Sequence, residues 1–110
     1  MKRRLACALI ALLLPSAAFA EDETPKNFEI TMKNHEFTPL ELVVPSGQSL
    51  KITVKNEDPA PFEFESVQLH REKIVQPGDK IVLLFYPLQR GTYRYVNDFD
   101  RSAKGFITVK

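Results

Sequence analysis

The sequence is poor in the residues that most often carry reactivity. Its single cysteine, Cys7, lies in the leading segment. A domain that starts after that segment has no disulfide, no thiolate ligand and no cysteine nucleophile. Its one remaining sulfur is Met32. No apolar run reaches the roughly 20 residues a membrane span needs. The net charge is only +1, so nothing asks for nucleic acid or an anionic membrane as partner. No serine sits in a nucleophile-elbow motif, which makes an ordinary hydrolase a poor reading. Internal repeats and low-complexity tracts are absent as well.

What is present divides in two. Residues 1–20 open with the basic "MKRR", continue with the apolar "LACALIALLL" and end in the small residues of "SAAFA". This is the pattern of a secretory signal peptide, with cleavage expected after Ala20 and delivery to the periplasm. The expected domain is then 21–110. Loss of Lys2, Arg3 and Arg4 leaves 12 basic residues against 14 acidic ones, a net charge of −2.

Within 21–110 the strand signals dominate. "FEITMK" alternates, with Phe28, Ile30 and Met32 on one side. "SLKITVKN" alternates likewise, with Leu50, Ile52 and Val54 inward. "FEFES" sets Phe62 and Phe64 against Glu63 and Glu65. "KIVLLFY" is a continuous apolar run, which predicts a strand buried on both faces or central in a sandwich. "VQLHREKIV" reads as an irregular excursion or a helical turn leading into a strand. "GTYRYVNDFDRSAKGFITV" reads as strand, loop, strand. About seven or eight short strands separated by turns predict an all-β Greek-key sandwich.

Two stretches carry a more specific resemblance. "NHEFTPLELVVPSGQSLKITVKNEDPAPFEFES" is similar to the first half of a cupredoxin. "QPGDKIVLLFYPLQRGTYRYVNDFDRSAKGFITV" is similar to the second. The set "NED…FEFES", "REKIVQPG", "GTYRY" and "DFD…AKG" resembles the cupredoxin-like domains of bacterial ferrous-iron uptake systems, both the EfeO-type domain and the small periplasmic partner of an iron permease. A blue-copper site needs two His, a Cys thiolate and usually a Met. The resemblance puts Phe62 at the first His position, Asn97 at the Cys, Asp100 near the second His, and Ala103 or Lys104 near the Met. All four depart from the pattern, which excludes a blue-copper electron carrier.

The resemblance implies instead a site of acidic groups for iron or copper. Glu63 and Glu65 point the same way from one strand, about 7 Å apart. Asp98 and Asp100 lie on the last loop, and His35 lies in the turn of "KNHEF". Four carboxylates and an imidazole form a hard, oxygen-rich set suited to Fe(II), Fe(III), Mn(II) or Cu(II). The expected metal residues are therefore Glu63, Glu65, Asp98, Asp100 and His35, the cofactor a copper or iron ion, and the protein partner a membrane iron permease or another uptake component. Turnover as a ferroxidase would make the protein an enzyme; otherwise it is a binding protein. Pairing of two copies as a homodimer would bring two acidic faces around shared ions. Each residue also has a plainer role. Aspartates commonly cap turns, Arg94 and Arg101 are available to neutralise the acids, and alternating glutamates are what a solvated strand face carries. The competing functional reading is a metal-free cupredoxin-fold module that docks a partner protein.

Overall fold

A computed structural model describes residues 24–110. The expected leader, 1–20, lies outside the described residues. Nine strands follow one another: β1 (Lys26–Lys33), β2 (Glu36–Thr38), β3 (Glu41–Val44), β4 (Leu50–Asn56), β5 (Phe62–Ser66), β6 (Arg71–Val75), β7 (Lys80–Phe85), β8 (Gly91–Asn97) and β9 (Asp100–Val109). They form a four-stranded sheet in the order β2-β1-β4-β7 and a five-stranded sheet in the order β3-β9-β8-β5-β6. β1 runs parallel to β4 and β3 parallel to β9; the other neighbours are antiparallel. The all-β sandwich is as expected, with more strands because "NHEFTPLELVV" folds as two short ones, one in each sheet.

Alternation decides which side chains enter the core. Ile30 and Met32 from β1, Leu50, Ile52 and Val54 from β4, and Phe62 and Phe64 from β5 are all buried there, as the period-two pattern requires. "VQLHR" makes a turn at 67–70 and enters β6. Ser66 pins that turn: its hydroxyl donates to Arg94 O at 2.7 Å and accepts the Leu69 N–H at 3.3 Å. His70 sits in it at positive φ.

"KIVLLFY" departs from expectation. It forms β7, the edge of the four-stranded sheet, and only alternate residues are covered. Leu83 and Phe85 are buried, while Val82, Leu84 and Tyr86 are exposed. A continuous apolar run carries no periodicity, so it does not reveal which face is covered.

Within the core four aromatic rings are in contact. Phe37 meets Phe62 edge-on at 5.5 Å and Tyr95 edge-on at 4.9 Å, and Phe64 stacks on Tyr95 at 4.9 Å. Burial of each such ring contributes about 2 to 3 kcal/mol. Tyr95 pairs across the ladder with Gly105, and its phenol ring lies directly over the glycine backbone. A Cβ at position 105 would collide with the ring and its oxygen. The buried Tyr95 hydroxyl has no hydrogen-bond partner among the described residues, and burial pushes its pKa up.

"NED" has a scaffolding task. The Asp58 carboxylate accepts the backbone N–H groups of Asn34 and His35 at 2.6 and 2.8 Å. Both residues have positive φ, and this holds the β1–β2 turn closed. Asn56 orients Asp58 by accepting its N–H, and donates its own amide to Ala60 O and Val75 O.

Candidate metal centre

The last hairpin places the loop residues. β8 and β9 pair regularly until the register shifts between Val96 and Asn97. That irregularity re-aims the chain, as bulges do. Asn97 is buried, and its side-chain oxygen accepts the N–H of Glu63 at 3.1 Å and of Phe99 at 3.0 Å. The Asp98 N–H donates to Glu63 O at 2.9 Å. β5 and the loop are thus locked together at residue 63. This lock sets the Asp98 side chain beside those of Glu63 and Glu65.

One carboxylate oxygen from each of Glu63, Glu65 and Asp98 lies within 4.8 Å of the others. Phe62, Phe64 and Ser66 are buried from the opposite face of β5, so the acids meet on the outer surface of the five-stranded sheet. Glu63 and Glu65 are half-buried and Asp98 is exposed.

A fourth acid, Glu72, belongs to the neighbourhood. It stands directly opposite Glu65 in the β5–β6 ladder, while Ile74 stands opposite Glu63. Like charges at directly opposed positions are unfavourable, and both glutamates feel Glu72. Glu72 is not among the residues expected from the sequence, because "VQLHREKIV" reads equally as an excursion or a helical turn. A hairpin closed by a turn at 67–70 would have put it opposite Glu65.

Crowding alters the titration of the cluster. The Glu63 carboxyl is pushed up to about 7, chiefly by loss of hydration, then by hydrogen bonds to Asp98 and Glu72 and by their negative charge. Glu65 is raised as well, first by its hydrogen bond to Asp98 and then by desolvation. Asp98 is lowered, because it accepts from Glu65 and from Arg101. The Arg101 Nη1 lies 2.6 Å from Asp98 Oδ1 and 3.7 Å from Glu65 Oε2. The cluster therefore holds a guanidinium at its edge and keeps the Glu63 proton up to about pH 7.

Asp100 and His35 stand outside this group of three. The Asp100 Oδ1 accepts the backbone N–H of Ser102 at 3.2 Å and its hydroxyl at 2.6 Å, and these bonds lower its pKa. His35 lies near enough to lower Asp100 further. It lines a groove of about 280 Å³ with Glu36, Phe37, Leu40, Ser102, Ala103 and Lys104. Arg94 makes no ion pair to the acids among the described residues; Arg101 alone does.

The interior does not fit a blue-copper centre. Phe62 is packed against Phe37 and offers no donor atom. The side-chain oxygen of Asn97 is already bound to two backbone N–H groups. No thiolate is available among residues 24–110.

Comparison with known proteins agrees with the sandwich fold. A protein of Rickettsia prowazekii, uncharacterized protein RP394, is 40% identical over 92 residues, covering 80% of this chain and 74% of that one. Among solved structures, the metal-binding domain of the Cu(I)-exporting P-type ATPase CopA of Streptococcus pneumoniae superposes with a TM-score of 0.68 at 17% identity, covering 76% of this chain and 84% of that one. The "blue" copper protein auracyanin A of Chloroflexus aurantiacus gives 0.66 at 16%, covering 78% and 99%. At such identities the two structures speak for the fold alone. Residues 4–109 match the model of the cupredoxin-like domain, and the chain belongs to that family.

Proposed function

We propose that this protein is a periplasmic accessory of ferrous-iron uptake that binds an iron or copper ion on the outer face of its sandwich, through Glu63, Glu65 and Asp98. One observation carries the reading: three carboxylate oxygens from two separate segments converge within 4.8 Å. Oxygen donors without sulfur suit Fe(II), Fe(III) or Cu(II) and disfavour Cu(I). The secretory leader and the resemblance to iron-uptake cupredoxins support the compartment and the pathway. The function is binding and hand-over to a membrane permease. Glu63 and Glu65 supply ligands from a rigid strand, and Asp98 supplies one from the loop tied to it. Arg101 is the cation an arriving ion displaces.

A second reading draws on that same Arg101. With its guanidinium already at the cluster, the acids have a protein counter-ion, as in a metal-free docking module.

Titration calorimetry with Fe(II) under anaerobic conditions, and with Cu(II), separates the two. The first reading expects stoichiometric uptake by the wild type and none by Glu63→Gln/Glu65→Gln. The double variant should melt at or above the wild-type temperature, since removing close like charges relieves repulsion. Unchanged affinity in the double variant would remove the site assignment. No uptake of either metal by the wild type would leave the docking module.

A further inference from the structure

The exposed apolar row on β7 is unexplained by the metal reading. Its outward side chains run Lys80, Val82, Leu84 and then Tyr86 beyond the strand end. Val82 is 46%, Leu84 59% and Tyr86 89% exposed. A flat apolar edge strand is a liability that proteins normally blunt, and exposed apolar surface of this kind marks an interaction site.

Charge identifies what it meets. On the neighbouring strand, Lys51 stands beside Leu84, Thr53 beside Val82 and Lys55 beside Lys80. Neither β4 nor β7 contains an acidic residue. Lys55 is paired with Glu29 at 3.1 Å, whereas Lys51 and Lys80 have no ion pair among the described residues. The face is therefore apolar and basic, and the acidic cluster lies on the outer face of the other sheet.

We propose that the outer face of β4 and β7 docks on an anionic lipid surface, with Val82, Leu84 and Tyr86 entering the interfacial zone and Lys51 and Lys80 facing headgroup phosphates. Tyrosine suits that zone because its ring is apolar and its hydroxyl is wet. Lysine places an aliphatic stem along the apolar layer and its ammonium at the headgroups. An anionic leaflet attracts such groups. The sandwich then turns Glu63, Glu65 and Asp98 away from the like-charged membrane.

Other occupants fit less well. A second copy docked by a two-fold axis would gather four unpaired lysines into one interface with no acid from β4 or β7 to offset them. A partner adding a strand meets Arg71, whose Nη2 donates to Leu84 O at 2.9 Å and whose guanidinium lies 4.6 Å from the Phe85 ring centre, so the backbone edge is capped there.

Co-sedimentation of residues 21–110, the form expected after cleavage at Ala20, with vesicles tests the proposal. One set is phosphatidylcholine alone; the other is phosphatidylcholine and phosphatidylglycerol in equal parts. Binding is expected only to the second set, and it should weaken as salt rises. Lys51→Glu/Lys80→Glu should weaken partitioning by about tenfold, and Leu84→Asp by a similar factor. Both change exposed positions, so wild-type melting temperatures are expected. Equal partitioning of the face variants, or equal binding to neutral vesicles, would overturn the proposal. So would lipid-free self-association that Leu84→Asp abolishes, which would assign the face to a second copy.

Discussion

Strand β5 has two faces, and they differ in everything except their backbone. Inward, Phe62 and Phe64 join Phe37 and Tyr95 in a dry aromatic cluster. Outward, Glu63 and Glu65 join Asp98 and approach Glu72 in a crowd of like charges. The inner cluster stabilises the fold and offers no metal donor. The outer one opposes folding wherever its carboxylates are forced together, and offers only donors. Because the side-chain period is two, a single step along β5 leads from the buried aromatic face to the acidic outer one.

The largest effect comes from breaking the inner face. Gly105 leaves just enough room for the Tyr95 ring, and any Cβ there collides with it. Gly105→Ala should cost about 3 kcal/mol, at the upper end of overpacking penalties. Chemical denaturation measures this. The Tyr95 and Phe64 rings must shift, yet the outer acids keep their strand, so under the metal reading uptake below the unfolding transition should persist. Wild-type stability in this variant would mean that the ring does not lie where the contact places it.

A smaller effect comes from cutting the link between the two faces. Asn97 is that link, since it points inward from the bulge and holds the N–H groups of Glu63 and Phe99. Asn97→Ala leaves two donors without their acceptor and should cost about 2 kcal/mol. It should also loosen the approach of Asp98 to Glu63. A carboxyl-resolved NMR titration would then show Glu63 returning toward its ordinary value. A stability loss with an unmoved Glu63 midpoint would show that Asn97 supports the fold without positioning the site.

Much of the inner face was legible in the sequence. Alternation in "FEITMK", "SLKITVKN" and "FEFES" assigns Phe28, Ile52 and Phe64 to one side, and it also sets Glu63 and Glu65 together. Two features were less legible. The apolar run of β7 looks the same buried on one face or on two, so its edge position was invisible. Glu72 could not be placed because its partner Glu65 is fixed by hairpin register, which depends on the length of the turn between them. The part played by Asn97 was hidden for a different reason. Its position in the family pattern drew attention to the missing thiolate, whereas its amide serves the backbone of a strand 34 residues away.

The smallest effect, and the most specific to the outer face, is on pH dependence. Glu63 titrates near 7 in the folded chain against an ordinary 4.5, with desolvation as the leading cause. The folded state thus keeps a proton that the unfolded chain releases, so stability should fall as pH rises from about 4.5 to about 7 and then level off. Glu65 acts in the same direction. Asp98 acts oppositely: it is lowered, so its contribution is present above its ordinary value and lost as pH falls through the folded one. Melting temperature against pH should therefore decline from mildly acidic to neutral conditions, and Glu63→Gln should flatten that decline. Under the metal reading an added ion competes with the retained proton, so uptake should tighten over the same interval and restore the lost stability. A decline that survives Glu63→Gln would mean that the crowding lies elsewhere than in this cluster.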